Sequence, residues 1–213
     1  MDLKHLTNKR EFLYHLTSSE NLRLILAVGK IYSTTHLIRN SDLSEQDQEV
    51  VLRRRRPDHY FLGEGDDRIM IRDQGPISEK ALSKCLTNGI QVGDFLKHLN
   101  DRVFFWPNLS RLRIHYGRYE LEQPSIIRLR SEDVIALNEE RLRLCQWNSG
   151  ATRPIPYYDG KPPPRGIESF MKVEDFDLPI GKVAEVTFEM ECQLPEEFWV
   201  GKTPSGPWTI TRL

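Results

Sequence analysis

The apolar and polar positions near the start of the chain predict a strand followed by a helix. Residues 12–16 form a short apolar run rich in aromatic side chains, which is typical of a buried strand. Leu22, Ile25 and Leu26 recur at helical spacing and give the following helix one apolar face. Ser18 precedes this helix and can cap its unpaired N–H groups.

The same unit ends in a turn and places two polar side chains beside the start of its helix. Gly29 stands where a helix C-cap favours a left-handed residue, and residues 31–34 predict a second extended piece. His15 and Thr17 lie at the end of the first strand, next to a helix N-terminus that favours negative charge. Such a corner can hold the ribose or phosphate of a nucleotide. A histidine bonded to backbone and a threonine that only caps the helix explain the same residues without a ligand.

Farther along, the pattern alternates between short strands and small helices. The predicted strands cover residues 68–72, 103–106, 124–129, 141–145 and 182–191. The predicted helices cover residues 46–56, 78–86, 92–99 and 108–116. The chain shows no βαβ regularity and no phosphate-loop glycines, so the pattern predicts an α+β fold in a single domain over residues 1–213.

The predicted strand at residues 182–191 has a clean period of two. Its first face carries mostly polar side chains, which we expect at a solvated edge: Val183, Glu185, Thr187, Glu189 and Glu191. The segment after it, with Trp199 and Trp208, is expected to pack or fray without a chemical role. A long loop rich in proline and glycine spans residues 148–165, and loops of this length in compact domains are usually functional or mobile.

Charge excludes an overall electrostatic nucleic-acid binder. Among 213 residues, 30 Lys and Arg balance 31 Asp and Glu, for a formal net charge of −1. A nucleic-acid surface would have to be a local patch. The candidate is a run of four arginines followed closely by aromatic residues 59–61: Arg53, Arg54, Arg55 and Arg56. A well-solvated helix C-terminus explains the same run, since cations are favoured there.

The remaining composition predicts a cytoplasmic protein with no membrane association. No apolar run approaches the roughly 20 residues that a spanning helix needs. The first residues lack the apolar core of a signal peptide. Three widely spaced cysteines favour reduced thiols over a disulfide framework or a zinc site: Cys85, Cys145 and Cys192.

Two resemblances follow from longer stretches of the sequence. The opening resembles that of DarT-type ADP-ribosyltransferases in Tyr14-His15-Leu16-Thr17, Glu20-Asn21-Leu22, Ile25-Leu26, Gly29-Lys30-Ile31 and Ser33. Most of the chain is similar to an uncharacterised bacterial domain family with the same opening. The landmarks of that family here are Arg72-Asp73-Gln74, residues 99–107, Asn148-Ser149-Gly150, Arg165-Gly166 and Glu185.

The first resemblance implies a split-sheet ADP-ribosyltransferase-like fold with small flanking helices, in which NAD lies as a substrate between two sheets. It implies catalytic roles for Glu185 and Arg72. The expected NAD-binding residues, taken from the two resemblances together, are Tyr14, His15, Thr17, Ser33, Phe105, Trp106, Asn148, Ser149 and Arg165. Packing in the core explains Phe105 and Trp106 without a ligand, and turn formation together with a structural arginine explains Asn148, Ser149 and Arg165 equally well. The segment that follows the aromatic strand in DarT-type enzymes is absent, and residues 107–111 stand in its place, which leaves the acceptor open.

For Glu185 the implied role makes chemical sense. Breaking the nicotinamide bond of NAD develops oxocarbenium character, which a nearby carboxylate stabilises, and a carboxylate can also accept the proton of the attacking group. Without the resemblance, Glu185 is one more solvated carboxylate of its strand. Arg72, likewise, is either an arginine beside the NAD phosphates or the target, or a surface arginine paired with a neighbouring acid.

The leading hypothesis is therefore an NAD-dependent ADP-ribosyltransferase, a toxin or phage-defence effector that modifies DNA or RNA and is neutralised by an antitoxin or another protein partner. A non-catalytic nucleotide-binding or protein-interaction module on the same fold is the alternative. Phosphate transfer from RNA to NAD is a third activity. It requires several basic residues in the cleft, for which the sequence offers only Arg72 and Arg165.

Overall fold

The structure is a computed structural model that describes residues 1–152 and 163–213, and its strands are short. In chain order they are β1 (Phe12–Thr17), β2 (Lys30–Tyr32), β3 (Tyr60–Leu62), β4 (Ile69–Ile71), β5 (Arg102–Phe105), β6 (Ser125–Arg130), β7 (Leu142–Cys145), β8 (Phe170–Met171), β9 (Glu185–Glu189), β10 (Glu191–Gln193), β11 (Glu197–Gly201) and β12 (Trp208–Arg212). Every pairing between them is antiparallel.

The helices flank these strands and are small as well. They are α1 (Leu3–Lys9), α2 (Ser19–Val28), α3 (Thr34–Arg39), α4 (Glu45–Arg53), α5 (Glu79–Leu82), α6 (Val92–Asn100), α7 (Leu109–Tyr116) and α8 (Ser131–Asn138). Together with the antiparallel sheets they confirm the mixed α+β class that the alternating pattern predicts.

Two four-stranded sheets form the body of the structure. The first has the order β1-β6-β11-β12 and the second the order β5-β9-β7-β8. The two-stranded pairs β2–β10 and β3–β4 lie beside them. Tyr14 and Trp106 join the two large sheets, because each donates its backbone N–H to the carbonyl of the other at 3.0 and 2.8 Å. A shared hydrophobic core lies under this seam and includes Leu13, Ile127 and Phe188.

Local sequence signals account for the opening unit. The Ser18 hydroxyl accepts the N–H of Asn21 at 3.0 Å, so it caps α2 as predicted. Gly29 ends this helix at φ +67°, a conformation that glycine adopts without a Cβ penalty. The predicted strand and helix of the opening are therefore confirmed.

The structure corrects three elements of the predicted pattern. Ser33 is not part of an extended piece, because its hydroxyl accepts the N–H of His36 at 3.1 Å and begins α3. The residues after the predicted strand at 124–129 form a helix that the pattern does not contain, α8, which begins at Ser131. The strand predicted over residues 182–191 breaks at Met190, whose φ of +63° redirects the chain from β9 to β10.

The face of β9 predicted to be solvated is largely buried. Glu185 is 3% exposed and Thr187 is fully buried. β9 is a central strand between β5 and β7, and Ser149 from the loop after β7 bonds Glu185 on that face. The segment after it does not fray either. β11 lies between β6 and β12 in the first sheet, and Lys202 at its end donates to the hydroxyls of Ser19 and Ser125.

Candidate functional site

A cavity of about 560 Å³ opens beside the seam between the two large sheets. Its volume lies within the range of about 300–1,000 Å³ that is usual for small-molecule sites. The walls come from the end of β1, from α2, β2, α3 and β4, and from β5. The polar side chains among the lining residues are His15, Thr17, Ser18, Asn21, Lys30, Tyr32, Thr34, His36, Asn40, Asp67, Arg72 and Arg102.

His15 links the two sheets and presents one ring nitrogen for a ligand. Its Nδ1 lies 3.0 Å from the carbonyl oxygen of Phe104 in β5. Because a carbonyl only accepts, Nδ1 carries the proton of the neutral ring, and Nε2 is left as an acceptor. Burial lowers the pKa of His15 to about 4, and the nearby charge of Arg72 acts in the same direction. At neutral pH the ring can therefore accept a hydrogen bond from a ligand hydroxyl.

Thr17 and Ser18 form the corner where β1 ends and α2 begins. Thr17 is 4% exposed and pairs with Ser125 of β6. Both residues line the cavity, close to the N–H groups at the start of α2. The structure thus brings His15 and Thr17 together at one cavity, in the strand-end arrangement that the sequence predicts.

Arg72 follows β4 and lies at the same cavity. Its guanidinium carbon lies 4.1 Å from the ring centroid of Tyr119, and its Nη1 lies 3.3 Å from Oε2 of Glu122. A second half-buried histidine, His115, packs against Tyr119. Burial lowers the pKa of His115 to about 3, with the charge of Arg72 acting in the same direction. The charge of Arg72 thus helps to keep both His15 and His115 neutral.

Two lining residues that sequence reasoning missed form an aromatic pair. The rings of Tyr32 and His36 stack with centroids 4.0 Å apart and planes 6° from parallel. Such a pair offers a flat surface to a planar heterocycle. The signal that could have found them is Ser33, whose capping role places His36 in the first turn of a helix and turns it back toward Tyr32.

Asn21 holds one wall of the cavity in place. Its side-chain amide donates to the carbonyl of Met70 at 2.7 Å and accepts the N–H of Met70 at 2.9 Å. This two-way bond attaches β4 to α2. One donor and the oxygen of the Asn21 amide are therefore used by the fold.

Glu185 lies at the start of β9, outside the set of described residues that line the cavity. Its Oε2 accepts the backbone N–H of Ser149 at 3.1 Å. Burial raises the pKa of Glu185 to about 7, while hydrogen bonds from Ser149 and the charges of Arg165 and Arg111 act against that rise. A carboxyl group in this state can both give and take a proton near neutral pH.

Arg165 holds together the loop segments beside Glu185. This side chain is 2% exposed and donates to the carbonyls of Ser149 at 3.2 Å, Asn148 at 3.0 Å and Pro163 at 2.7 Å, and to that of Ala151. The three candidates of this loop therefore lie together with Glu185, and none of the four lines the cavity among the described residues. The part of the predicted loop at residues 153–162 lies outside the described residues.

The remaining candidates for NAD binding lie in the packed interior. Tyr14 and Trp106 belong to a hydrophobic cluster with Leu112. Phe105 is fully buried, with its ring 5.4 Å from that of His15. Ser33, which is 1% exposed, caps α3. These residues pack in the interior or cap a helix, and they do not line the cavity among the described residues.

The four arginines do not share one surface. Arg56 is 8% exposed and donates to the carbonyl of Val51 and to Oδ1 of Asn100, and burial lowers its pKa to about 10. Arg53 pairs with Glu49 and Asp94. Arg55 donates to the carbonyl of Gly75, and Arg54 is exposed.

A comparison with protein-family models gives one finding. Residues 11–196 match a model described as a family of unknown function, DUF7002. The chain belongs to this family. The match contains every candidate site residue of this DUF7002 chain, from Tyr14 to Glu185, and leaves β11 and β12 outside. No curated protein and no solved structure matches the chain.

No group of three or more His, Cys, Asp or Glu side chains in the described residues is placed to hold a metal ion. None of the helices in residues 1–152 and 163–213 has the length and apolar character needed to cross a bilayer.

Proposed function

We propose that this chain is an NAD-dependent ADP-ribosyltransferase related to the DarT-type enzymes, with the seam cavity as its NAD site. The observation that carries the proposal is the meeting of His15, Thr17 and Arg72 at one cavity between two antiparallel sheets. An imidazole acceptor and a hydroxyl suit the ribose of NAD, and a guanidinium suits its phosphates. This split arrangement of sheets also supports an ADP-ribosyltransferase-like fold.

In the proposed reaction the bond between ribose C1′ and the nicotinamide nitrogen breaks, and its electron pair leaves with nicotinamide. The acceptor then forms a bond to C1′ and loses a proton. Glu185, with a pKa raised to about 7, is the group suited to take that proton. Its ionised fraction also stabilises the positive charge that develops on the ribose.

The position of Glu185 sets where the ribose would have to lie. Phe104 lines the cavity and pairs with Thr187. Glu185 is at the start of β9, two residues before Thr187. It lies on the same face as Thr187, about 7 Å away along the strand. The reacting ribose would therefore lie at the Phe104 end of the cavity, between the His15 ring and the start of β9.

The acceptor is proposed to be a nucleic acid, in a toxin or phage-defence setting with a neutralising partner. The support for this part is the exposed Arg54 beside the half-buried Arg55, whose guanidinium donates to the Gly75 carbonyl. Arg53 and Arg56 contribute less, because their guanidinium groups are already paired within the fold.

Release of nicotinamide from NAD, measured by chromatography, tests this function. The wild-type chain should release nicotinamide, and Glu185→Gln should release at least about 100-fold less, since one preorganised charged group is worth this much in a transition state. Thr209→Ser, an exposed strand position of the first sheet far from the candidate residues in sequence, is the matched control and should keep the wild-type rate. Equal release by wild type and Glu185→Gln would contradict the catalytic role.

A non-catalytic nucleotide-binding module is favoured by one specific observation. Glu185 is held by the Ser149 N–H and does not line the cavity among the described residues. A module of this kind would bind NAD without releasing nicotinamide. The same assay, combined with a binding titration, therefore separates the two functions.

A further inference from the structure

The guanidinium of Arg72 uses only some of its hydrogen-bond donors within the fold. Its side chain is 18% exposed and lies over the Tyr119 ring at the cavity wall. Nη1 reaches Oε2 of Glu122 at 3.3 Å, and Nη2 is buried without a hydrogen-bond partner among the described residues. The stacking fixes the plane of the guanidinium, so the direction of its remaining donors is fixed as well.

The contact with Glu122 is a weak one for its type. Charge-assisted N–H···O bonds usually measure about 2.7–2.9 Å, and arginine pairs with planar anions through two parallel bonds. Here one bond is long and the second is missing. A buried N–H without a partner is unfavourable, so a better anion at this position has a clear advantage over Glu122.

Glu122 is free to give up this contact. It is the last residue of a 3₁₀ turn, Glu120–Glu122, its side chain is 39% exposed, and the neighbouring Leu121 is 99% exposed. Its other oxygen, Oε1, lies 3.1 Å from Nε2 of His59. Once separated from Arg72, the carboxylate keeps its hydrogen bond to His59 and is solvated by water.

His59 is in turn fixed from its other side. Its Nδ1 accepts the backbone N–H of Asp73 at 3.0 Å, so Nε2 carries the ring proton and donates to Glu122. Glu122 therefore has a hydrogen bond to His59 that does not depend on Arg72.

We propose that Glu122 is an internal counter-ion of the cavity, which a phosphate-bearing ligand displaces from Arg72. The displacing group is a phosphate or diphosphate, because it can bond both Nη positions and its charge exceeds the single charge of the Glu122 carboxylate with which it competes. Glu122 then acts as a specificity residue. It disfavours weak or singly charged anions and lowers the affinity for every anionic ligand by the repulsion that remains.

This inference deepens the proposed function, since the diphosphate of NAD would be the displacing group, but it is tested without NAD chemistry. The probes are inorganic pyrophosphate and ADP-ribose, which contain no nicotinamide bond to break. Calorimetric titrations compare the wild-type chain with Glu122→Gln, and with Glu120→Gln as the matched control in the same exposed turn.

Glu122→Gln should bind both probes about tenfold more tightly than the wild type. Glu120→Gln removes the same charge from the same turn and should stay within about twofold of the wild type, because long-range charge effects are screened. The gain should disappear when Arg72→Lys is added, since lysine offers no paired donors. Thermal melts of each variant check that all of them fold.

Three results would overturn the inference. They are equal or weaker binding by Glu122→Gln, a gain that persists with Arg72→Lys, and no binding of either probe by wild type or Glu122→Gln at millimolar concentration. Failure of the proposed function is separate. A tenfold gain without nicotinamide release would keep the counter-ion and reject the transferase, whereas release without any gain would do the reverse.

Discussion

Nδ1 of His15 lies 3.0 Å from the carbonyl oxygen of Phe104, so one side chain ties the first large sheet to the second. This bond fixes the tautomer of the neutral ring and leaves Nε2 as the only ring atom available to a ligand. The same residue therefore has a structural role through one nitrogen and a proposed binding role through the other. The two roles can be separated by substitution.

His15→Asn should preserve the fold better than His15→Ala. The asparagine amide can replace Nδ1–H as a donor to the Phe104 carbonyl, whereas alanine leaves that half-buried acceptor unpaired, at a cost of about 1–3 kcal/mol. Urea unfolding of the three proteins measures the difference. Equal stability of the two variants would show that the bond does not hold the sheets together.

Stability should depend on pH through Glu185 in a predictable direction. Its pKa is raised to about 7 in the folded chain, so the folded state holds a proton that the unfolded state has lost above its ordinary pKa of 4.5. The contribution of the neutral carboxyl is present below pH 4.5 and is lost as the pH rises through 7. Each unit of pKa difference corresponds to about 1.4 kcal/mol.

Glu185→Gln should remove this pH dependence. The free energy of unfolding of the variant should gain on the wild type as the pH rises from 5 to 8. The buried histidines are present in both proteins and cancel in the comparison. Their lowered pKa values, about 4 for His15 and about 3 for His115, make both proteins less stable as the pH falls below the ordinary value of 6.5. Parallel curves for wild type and variant would reject a raised pKa of Glu185.

Asn21→Ala should loosen the wall of the cavity that β4 forms. The substitution removes the bonds to both the N–H and the carbonyl of Met70, with an expected loss of about 1–3 kcal/mol. Hydrogen exchange of the Met70 amide should accelerate more than that of the β9 amides. Asn21→Asp keeps the acceptor and loses the donor, so it should fall between wild type and alanine. Unchanged exchange at Met70 would contradict the anchoring role.

Reversing the charge of Arg54 and Arg55 tests whether they bind nucleic acid. Arg54→Glu with Arg55→Glu should weaken binding to a single-stranded oligonucleotide if the acceptor is a nucleic acid, and should leave nicotinamide release unchanged. Reversal at Arg56 would instead break its buried bond to Asn100 and unfold the chain. Arg39→Glu is the control for a general charge effect, because Arg39 is exposed at the end of α3 and pairs with Glu49 of α4. Unchanged oligonucleotide binding would favour a protein or small-molecule acceptor.

The sequence predicted those features of the fold that depend only on residues close together along the chain. Ser18 and Gly29 bound α2 as expected, because a cap depends on atoms within one helical turn. His15 and Thr17 were placed at a strand end for the same reason. Ser33 carried an equally local signal that indicated a helix start, and recognising it would have found the pair of Tyr32 and His36.

The sequence did not predict which polar side chains are buried, because their burial depends on contacts with parts of the chain that lie outside their own strand or helix. A period of two shows that Glu185 and Thr187 share a face, but it does not show that β5 and β7 lie on both sides of β9 and that neighbouring elements cover that face. The burial of Arg56 depends on Asn100, which is far away along the chain. The burial of Arg165 likewise depends on how its own loop folds, because its guanidinium bonds the carbonyls of Ser149 and Pro163.

A calorimetric titration of the wild-type chain and His15→Asn with NAD tests the central claim most directly. If the seam cavity is the NAD site, the wild type binds NAD, and the variant, which folds but lacks the Nε2 acceptor, binds at least about tenfold more weakly. Absence of heat from the wild type at millimolar NAD, or equal binding by both proteins, would contradict the account.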